Sequence, residues 1–486
     1  MHRNQKRPIR ITIIRIAGVL LLWLVAVGLF QMFKPIPEGV DYAGEWRKVS
    51  ADKVTFLYDL TYERDGGRVH EQQIFDRMFS HIQRAEKFIL IDMFLFNEHL
   101  GNAASSHRNL SRELVEHLID AKERIPDIRI NVITDPVNTV YGGSTSFAVE
   151  ELKAHGIDVI ITDLGPLRDS NPLYSPIWRT FIQWFGNSAG GLLPHPFSTK
   201  EPNVSLRSYL ALLNFKANHR KVFMADSGDS HVSLVMSANP HDASSAHSNV
   251  ALEIREAIAP DLLKTEKGVA SFSGGQLSRD NVDPPKKESG GLQIRVVTEA
   301  SIHKEIIAEI NAATPGDTIH LAMFYLSERR IIKALETAAH RGIKIRMVLD
   351  PNKDAFGYEK TGIPNRPVAH ELTKKTDDGI QVRWYDTRGE QFHSKMLFIQ
   401  RNGVSTVILG SANYTRRNLR NYNLELDVIL KGKSDARVFA DVKEYFDRIW
   451  NNLDGVYTTN YETYRDGAFS RTVMYRIQER FGVSSF

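Results

Sequence analysis

Apolar and polar residues follow one another along this chain in patterns that predict its secondary structure. Residues 16–33 form one long apolar stretch without charge. Beyond it, short apolar runs rich in β-branched residues alternate with longer segments in which apolar residues recur every three or four positions. The short runs predict buried strands, and the longer segments predict amphipathic helices. Their alternation predicts an α/β fold with mainly parallel or mixed sheets that helices flank.

The predicted strands and helices occur in two similar sets. Residues 88–95 and 128–136 of the first set match residues 318–325 and 343–351 of the second in order and in apolar pattern. Similar sets that recur in one order indicate a tandem duplication. The sequence therefore predicts two related α/β units in one chain.

The duplication divides the chain into segments. The first half covers residues 34–271 and the second half residues 292–456. Residues 272–291 are rich in Ser, Gly, Asp and Pro and lack apolar periodicity, which predicts a linker. The first half is the longer one, which places an insert at about residues 165–214. A C-terminal tail, residues 457–486, follows without an assigned role.

The long apolar stretch predicts a transmembrane helix. At a rise of about 1.5 Å per residue, residues 16–33 span ~27 Å, close to the hydrocarbon thickness of a bilayer. A cleaved signal peptide and a buried helix are the alternatives, but no small-x-small cleavage site follows the stretch. The basic residues of segment 1–15 outnumber Lys34 on the other side, so we expect an uncleaved anchor with a cytoplasmic amino terminus. The body then lies outside the cytoplasm, facing the periplasm if the source is bacterial.

The insert contains a helical apolar stripe that includes two tryptophans. Its aromatic residues are Trp178, Phe181, Trp184 and Phe185. One interpretation is a helix that covers the core. The other is a segment that lies in the membrane interface beside the anchor, where tryptophan is enriched. Both interpretations stay open at the level of the sequence.

Composition excludes several classes of site. The net charge is only +4, so the chain lacks the global basic field of a nucleic-acid-binding protein, and nucleic acid is not an expected partner. It contains no cysteine, which excludes disulfides, thiolate metal sites and cysteine nucleophiles. The chemistry must come from other side chains.

One set of polar residues recurs with the duplicated strands. In each copy a His-x-Lys pair begins an apolar run, and a Ser-x-Asn triplet ends the next run. Side chains at positions i and i+2 of a strand point to the same side, so each histidine faces the same way as its lysine. The two copies are His219, Lys221, Ser237 and Asn239, and His393, Lys395, Ser411 and Asn413.

These residue types suit transfer at phosphorus. A neutral histidine can attack phosphorus, and a second, protonated histidine can give its proton to the leaving oxygen. Lysine and asparagine side chains donate to the charged non-bridging oxygens. No acidic cluster with metal-binding spacing accompanies them, so we expect a site that uses neither a metal nor another cofactor.

The repeated pattern, His-x-Lys with a downstream Ser-x-Asn, resembles the phospholipase D superfamily. The second copy, with Ser411 to Asn413 and residues 418–425, is most similar to the cardiolipin-synthase-like members. The resemblance implies a tandem pair of α/β sandwich units that pack about a pseudo-twofold axis, so that both His-Lys-Asn sets meet at one site. It covers roughly residues 75–455.

The resemblance also implies a role for each residue. A covalent phosphohistidine forms on His219, while His393 acts first as general acid and then as general base. Glu253 and Glu425 are similar in place to the carboxylates that hold each imidazole by its other nitrogen, and Asp226 is the structural aspartate of the motif. The implied phosphate ligands are Lys221, Lys395, Asn239 and Asn413, and the implied further substrate contacts are Ser237 and Ser411.

The sequence departs from the family pattern at two positions. Gln400 stands in the second copy where the first has Asp226, and Met236 stands in the first copy where the second has Gly410. Because the motif aspartate is structural in the family, Gln400 bears on local packing more than on catalysis.

Three functions follow as hypotheses. The leading one is a membrane-anchored phosphodiesterase or phosphatidyltransferase that acts on a phospholipid and passes the phosphatidyl group to an alcohol or to water. A nuclease of the same family outside the cytoplasm is the first alternative. A degenerate scaffold that binds phospholipid without turnover is the second, and it rests only on Gln400 and Met236.

Overall fold

A computed structural model describes residues 6–101, 108–278, 290–355 and 358–483. The first residues of the basic segment 1–15 and most of the predicted linker, residues 279–289, lie outside the described residues.

Strands of the first half form one eight-stranded sheet. A short strand, β1 (Arg47–Val49), precedes them in the chain. In space the order is β3-β2-β9-β8-β7-β4-β5-β6, with β4, β5 and β6 parallel and the other pairs antiparallel. The strands are β2 (Val54–Arg64), β3 (Gly67–Glu71), β4 (Phe88–Met93), β5 (Arg129–Thr134), β6 (Asp158–Ile161), β7 (Lys221–Ser227), β8 (Ser230–Met236) and β9 (Asn249–Arg255).

The second half forms a nine-stranded sheet with the same plan. Its order is β1-β10-β18-β17-β16-β11-β12-β15-β19, and β13 pairs separately with β14. The strands are β10 (Leu292–Thr298), β11 (Thr318–Met323), β12 (Lys344–Leu349), β13 (Asp354–Ala355), β14 (Tyr358–Glu359), β15 (Ile380–Tyr385), β16 (Lys395–Arg401), β17 (Val404–Gly410), β18 (Leu426–Lys433) and β19 (Thr458–Asn460).

Helices connect these strands and cover the sheets. In α2, for example, Ile74, Met78 and Ile82 are completely buried, because residues three to four apart share one side of a helix. The helices are α1 (Lys6–Phe33), α2 (Ile74–Arg84), α3 (Leu110–Arg124), α4 (Phe147–Ala154), α5 (Ser175–Ile177), α6 (Leu206–Leu212), α7 (Ala259–Phe272), α8 (Glu299–Ala312), α9 (Arg329–His340), α10 (Asn365–Lys375), α11 (Arg416–Leu419), α12 (Arg437–Asn451) and α13 (Phe469–Phe481).

The predicted fold class, mixed α/β with helices flanking both sheets, is confirmed. The matched apolar runs form matched strands, since β4 pairs with β5 in parallel and β11 pairs with β12 in the same way. In each half an antiparallel meander, β7-β8-β9 or β16-β17-β18, extends the parallel strands. This meander carries the His-x-Lys and Ser-x-Asn residues.

Two strands cross the segment boundaries that the sequence predicts. Strand β1, from the predicted first half, pairs antiparallel with β10 at the edge of the second sheet. Strand β19, from the predicted tail, pairs antiparallel with β15 at the opposite edge. The tail continues into α13, where Tyr475 is fully buried. The flanking segments are therefore parts of the second half's packing.

One apolar core joins the two halves. Val222 and Val250 of the first sheet belong to the same buried cluster as Met396 and Leu409 of the second. Burial of each such aliphatic side chain contributes about 1.5–3 kcal/mol. The two meanders therefore face each other, and the residues at their ends come together.

In the described part of the chain, one helix is long and apolar enough to cross a membrane. Its candidate span, Ile11–Phe33 of α1, has a mean hydropathy of 2.5 and is only 6% buried. The last turns of α1 contact the insert, where Gly28 lies against Pro176 and Gln31 O accepts the N–H of Asp169 at 3.1 Å. Most of the helix projects away from the body.

Candidate active site

Each His-x-Lys pair lies where a strand of the meander begins. Strand β7 begins at Lys221 beside the last residue of β4, and β16 begins at Lys395 beside the last residue of β11. Since β7 and β16 run antiparallel to these neighbours, His219 and His393 lie at the carboxyl edge of the parallel strands. Both histidines are almost fully buried.

An aspartate that follows a parallel strand fixes the backbone before each histidine. Asp135 Oδ2 accepts the N–H of Asn218 at 2.6 Å, and Asp350 Oδ2 accepts the N–H of Phe392 at 2.8 Å. Burial raises the pKa of Asp135 to about 7 and that of Asp350 to about 6. These matched aspartates were visible as a repeat in the sequence, and the structure assigns them a positioning role.

The backbone of each histidine is bonded to the other half. His219 N–H donates to Leu424 O, and His393 N–H donates to Ser248 O, both at 2.9 Å. The two His-Lys sets are therefore tied to one another, and the structure brings them together in one cluster.

The two imidazoles are held by different groups. His219 Nδ1 lies 2.9 Å from Glu425 Oε2, and His393 Nδ1 lies 3.2 Å from Asn249 Oδ1. When Glu425 is ionised, its carboxylate only accepts hydrogen bonds, so Nδ1 of His219 carries the proton and Nε2 keeps its lone pair. Asn249 Nδ2 donates to His247 O at 3.1 Å, which turns its carbonyl oxygen toward His393. Both imidazoles thus present Nε2.

The expectation that Glu253 holds a catalytic imidazole is corrected by the structure. Glu253 Oε2 lies 3.0 Å from His81 Nε2 and 3.5 Å from Arg77 Nε. It stands four residues beyond Asn249 on β9. Because a strand rises about 3.3 Å per residue, this places it ~13 Å along the strand from Asn249, which contacts His393 instead.

The strand register explains the difference. Ser237 N–H bonds to the carbonyl that follows Asn249, and Ser411 N–H bonds to the carbonyl that follows Glu425. Asn249 and Glu425 are therefore equivalent. The loop between these residues is longer in the second half, so counting from the histidine does not preserve the register. Aligning the apolar runs of β9 and β18 would have located Asn249.

Each serine of the triplets donates a hydrogen bond to the side chain that supports one of the two imidazoles. Ser411 Oγ donates to Glu425 Oε2 at 2.5 Å, and Ser237 Oγ donates to Asn249 Oδ1 at 3.0 Å. Asn418 Nδ2 donates to the other carboxylate oxygen of Glu425. The hydroxyls predicted as substrate contacts are thus directed to the supports of the imidazoles. Burial raises the pKa of Glu425 to about 7, although these bonds and Lys221 oppose the rise.

The two lysines occupy equivalent positions beneath the histidines. Lys221 Nζ donates to His219 O and Lys395 Nζ donates to His393 O, both at 2.7 Å. Each ammonium also lies over an aromatic ring, at 5.2 Å from the centre of Phe94 for Lys221 and at 5.1 Å from that of Phe324 for Lys395. One bond to a carbonyl leaves further donors on each ammonium for a phosphate.

The cluster is electrostatically prepared for an anion. Burial lowers the pKa of His219 well below its ordinary value, and Lys221 and Lys395 lower it further. Burial also lowers the pKa of Lys221 to about 7, and it lowers that of Lys395 with help from Lys221. Two buried cations in one cluster gain when a negative group enters between them. A phosphodiester has the required charge.

The asparagines of the triplets lie at the end of each meander hairpin. Asn239 Oδ1 accepts the N–H of Leu95 at 3.3 Å. Asn413 is buried, and its Oδ1 has no hydrogen-bond partner among the described residues. An unsatisfied buried carbonyl oxygen of this kind can accept a hydrogen bond from a ligand.

The first departure from the family pattern has a local explanation. Asp226 accepts the N–H groups of residues 86–88 at 2.7–3.1 Å and so fixes the start of β4. At the equivalent place in the second half, the turn before β11 is held by its own carboxylate, since Asp317 Oδ2 accepts the N–H of Thr314 at 2.7 Å. In the second half Asp317 thus makes the kind of contact that Asp226 makes in the first, so an aspartate at position 400 is not needed to fix this turn.

The second departure follows from the neighbouring strand. Gly410 pairs with Asp427, and a Cβ at position 410 would meet an Asp427 carboxylate oxygen at 2.4 Å. In the first half Met236 pairs with Ala251, whose small side chain leaves the space open. The change from glycine to methionine is thus compensated across the strand pair.

Aromatic residues of the insert are largely exposed. A short π-helix, Trp178–Ile182, continues α5, and beyond it Trp184 is 75% exposed and Phe185 68% exposed. Phe181 is 47% exposed, whereas Trp178 is half-buried. The interpretation of this stripe as a core-covering helix is wrong for Trp184 and Phe185.

Comparisons with known proteins agree with the motifs. Residues 306–450 match the family model described as cardiolipin synthase, PLD-like domain. The mitochondrial cardiolipin hydrolase of Mus musculus is 26% identical over 157 residues, which are 32% of this chain and 61% of the relative. That of Canis lupus familiaris is 26% identical over 137 residues, covering 28% and 46%. The chain thus spans less than two thirds of the length of these relatives.

A solved structure extends the likeness to most of the chain. The phosphatidylserine synthase of Haemophilus influenzae superposes with a TM-score of 0.58 at 10% identity, covering 91% of this chain and 98% of that one. At this identity the likeness concerns the fold. Together with the family match, it confirms the resemblance to the phospholipase D superfamily that the repeated motifs predict.

Proposed function

We propose that this phospholipase D-like protein is a membrane-anchored enzyme that cleaves the phosphodiester of a phospholipid and transfers the phosphatidyl group to an alcohol or to water. The observation that carries the proposal is the pair of buried imidazoles, each presenting Nε2 above a buried lysine. The names of the matched family and relatives support phospholipid as the substrate class.

In the first step His219 is the nucleophile. Its Nε2 forms a bond to phosphorus while the bond between phosphorus and the leaving oxygen breaks, and protonated His393 gives its Nε2 proton to that oxygen. The attack makes the imidazole of His219 cationic. Glu425, at 2.9 Å from Nδ1, stabilises this charge, whereas the group at Nδ1 of His393 is the neutral amide of Asn249. This asymmetry favours His219 over His393 as the nucleophile.

In the second step the acceptor replaces His219. Neutral His393 takes the proton of the acceptor hydroxyl. The oxygen of the acceptor then bonds to phosphorus while the bond between phosphorus and His219 Nε2 breaks. Lys221, Lys395 and the two asparagines of the triplets donate to the non-bridging oxygens throughout. An alcohol acceptor, such as the glycerol headgroup of another phospholipid, gives transfer, and water gives hydrolysis.

A lipid assay tests this proposal. Purified full-length protein in mixed micelles with phosphatidylglycerol should release glycerol and form either cardiolipin or phosphatidic acid, as resolved by mass spectrometry. A parallel incubation uses single-stranded DNA. Cleavage of the DNA with the lipid left intact would refute the proposal and favour a nuclease.

We propose that α1 is the membrane anchor and that the body lies outside the cytoplasm. The positive charge before the span supports this orientation, since basic residues stay on the cytoplasmic side. We predict that a periplasmic-type alkaline phosphatase reporter fused after Phe486 is active in bacterial cells, while a fluorescent reporter that folds only in the cytoplasm is dark. The reverse result would overturn the orientation.

We propose that the exposed aromatic residues of the insert lie in the membrane interface. Replacement of Phe181, Trp184 and Phe185 by serine should lower activity on phospholipid vesicles about tenfold, because interfacial binding scales with buried apolar area. Activity on a short-chain soluble substrate should be retained. As a matched control, Val404→Ser changes an exposed apolar residue of β17 and should affect neither assay. Equal losses on both substrates would contradict the interfacial role.

A further inference from the structure

The insert forms one wall of an open cavity beside the candidate membrane helix. It has a volume of about 570 Å³ and lies between the loop after β5, the end of β6 and the insert. None of the predicted site residues lines it, so it is separate from the His-Lys-Asn cluster. The insert has no counterpart in the second half, and neither does the cavity wall that it provides.

Cationic side chains predominate on the wall of this cavity. Arg179, Arg207 and Lys216 line it together with two carboxylates, Asp163 and Asp169. A single carboxylate, Asp169, serves two of the cations, with Arg179 Nη2 and Lys216 Nζ each at 2.9 Å from its Oδ1. The other carboxylate, Asp163, accepts the N–H of Gly165 through Oδ1 at 2.7 Å. The wall therefore favours an anion.

One of these cations, Arg207, lies beside apolar residues of the wall, so a ligand that binds it can also have an apolar part. The guanidinium carbon of Arg207 lies 3.9 Å from the ring centre of Trp178, which also lines the cavity. Arg207 bonds to the backbone carbonyl oxygens of Phe185 and Gln183. Leu164 and Ile161 add apolar surface on the opposite strand end. A phosphate joined to glycerol and the start of acyl chains matches this mixture.

The cavity lies next to the end of the anchor helix. Lys34, directly after α1, donates through Nζ to Gly165 O at 2.9 Å, and Arg179 Nη2 donates to the same carbonyl at 3.0 Å. Arg168 Nε in turn donates to Lys34 O at 2.7 Å. Under the proposed anchoring, this places the cavity at the level of phospholipid headgroups.

The cavity also adjoins the catalytic cluster. Lys216 on its wall precedes His219 in the same loop. Asn218, the residue before His219, donates through Nδ2 to Thr162 Oγ1 at 3.0 Å, and Thr162 lines the cavity.

From these observations we infer that the cavity binds the headgroup of a second, anionic phospholipid, whose phosphodiester lies among Arg179, Arg207 and Lys216. The inference rests on the proposed function and deepens it, because a lipid held here is a source of the acceptor alcohol beside His219. Free phosphate shares the chemistry of this ligand, so the experiment must separate the two sources.

Photocrosslinking tests the site without turnover. Full-length protein carrying His219→Ala is reconstituted in phosphatidylcholine vesicles that contain a phosphatidylglycerol analogue with a diazirine in its headgroup. After irradiation, mass spectrometry should locate crosslinks in the peptide of residues 178–183. Arg207→Gln should reduce them about tenfold, the effect of losing one charge-assisted hydrogen bond. Arg207→Lys should retain most of them.

Internal controls keep the test decisive. Lys200→Gln removes an exposed cation of the same insert outside the cavity and should change nothing. Crosslinks at the catalytic cluster report that each variant is folded and binds lipid there. A phosphatidylcholine analogue that labels residues 178–183 equally, or labelling that inorganic phosphate abolishes at low concentration, would overturn the inference. If labelling depends on Arg207 but the protein with His219 intact turns over no phospholipid, the proposed function alone is refuted.

Discussion

Replacement of His219 by alanine is expected to abolish turnover of every substrate, by roughly 10⁴-fold or more, because no covalent intermediate can form without the nucleophile. His393→Ala is expected to behave differently. With a nitrophenyl phosphodiester, whose leaving group needs no proton, it should still form the phosphoenzyme but fail to release it, since no general base remains for the acceptor. Mass spectrometry of the quenched His393→Ala protein should find the phosphorus on His219.

The two variants are controls for each other. Both keep Lys221 and Lys395, so substrate binding should survive and the loss should appear in kcat rather than in KM. Phosphorus on His393 in the His219→Ala protein would reverse the assignment. A phosphoenzyme in neither variant would contradict the covalent mechanism.

The second large effect is expected at Glu425. Glutamine at this position keeps the shape of the side chain but removes the charge that stabilises the imidazolium of His219, and its amide can hold the imidazole in the wrong tautomer. We expect kcat/KM to fall by roughly 10²–10⁴-fold. Because the side chain is fully buried and its partners Ser411 and Asn418 remain, the melting temperature should be measured alongside.

Asn249 provides the matched control, since it stands at the equivalent place in the other half. Asn249→Asp places a carboxylate beside His393 Nδ1 and should raise the pKa of that imidazole, so the alkaline limb of the kcat profile should move up by about one pH unit. Activity should be largely retained. An Asn249→Asp variant that loses as much activity as Glu425→Gln would contradict the expectation that His393 can work beside a charged support.

The buried lysines also set the pH dependence of the intact enzyme. Burial lowers the pKa of Lys221 to about 7, so the free enzyme loses this cation as the pH rises through neutrality. An anionic ligand raises the pKa again, and the loss of Lys221's charge is therefore expected in kcat/KM more than in kcat.

Much of the site follows from local sequence. The residues of each His-x-Lys and Ser-x-Asn set lie at strand ends because an apolar run must end where its backbone leaves the core, and polar residues mark that point. Repetition of the whole set shows that the halves share one plan. The matching of β4 and β5 with β11 and β12 could be predicted for the same reason, since apolar periodicity is a local property.

The tertiary structure decided which residue supports each histidine. Glu425 contacts His219 across the interface of the two halves, and Asn249 contacts His393 in the same way. Such a contact depends on strand register and on the packing of one sheet against the other, and neither is fixed by spacing along the chain. Counting from the histidine therefore selected Glu253, which faces His81.

Packing also decided the structure of the segments to which the sequence assigned no role. The short strands β1 and β19 carry too few residues for a reliable periodicity, and they are strands because the edges of the second sheet offer unpaired backbone groups.

The aromatic stripe of the insert has the same local pattern whether it is buried or exposed. In the folded protein Trp184 and Phe185 are exposed, and the insert forms one wall of the cationic cavity. The sequence by itself determined the fold class, the duplication and the histidines, lysines and asparagines of the site, because these depend on local pattern. The partners across the halves and the cavity depend on contacts between residues far apart in the chain, so only the tertiary structure decided them.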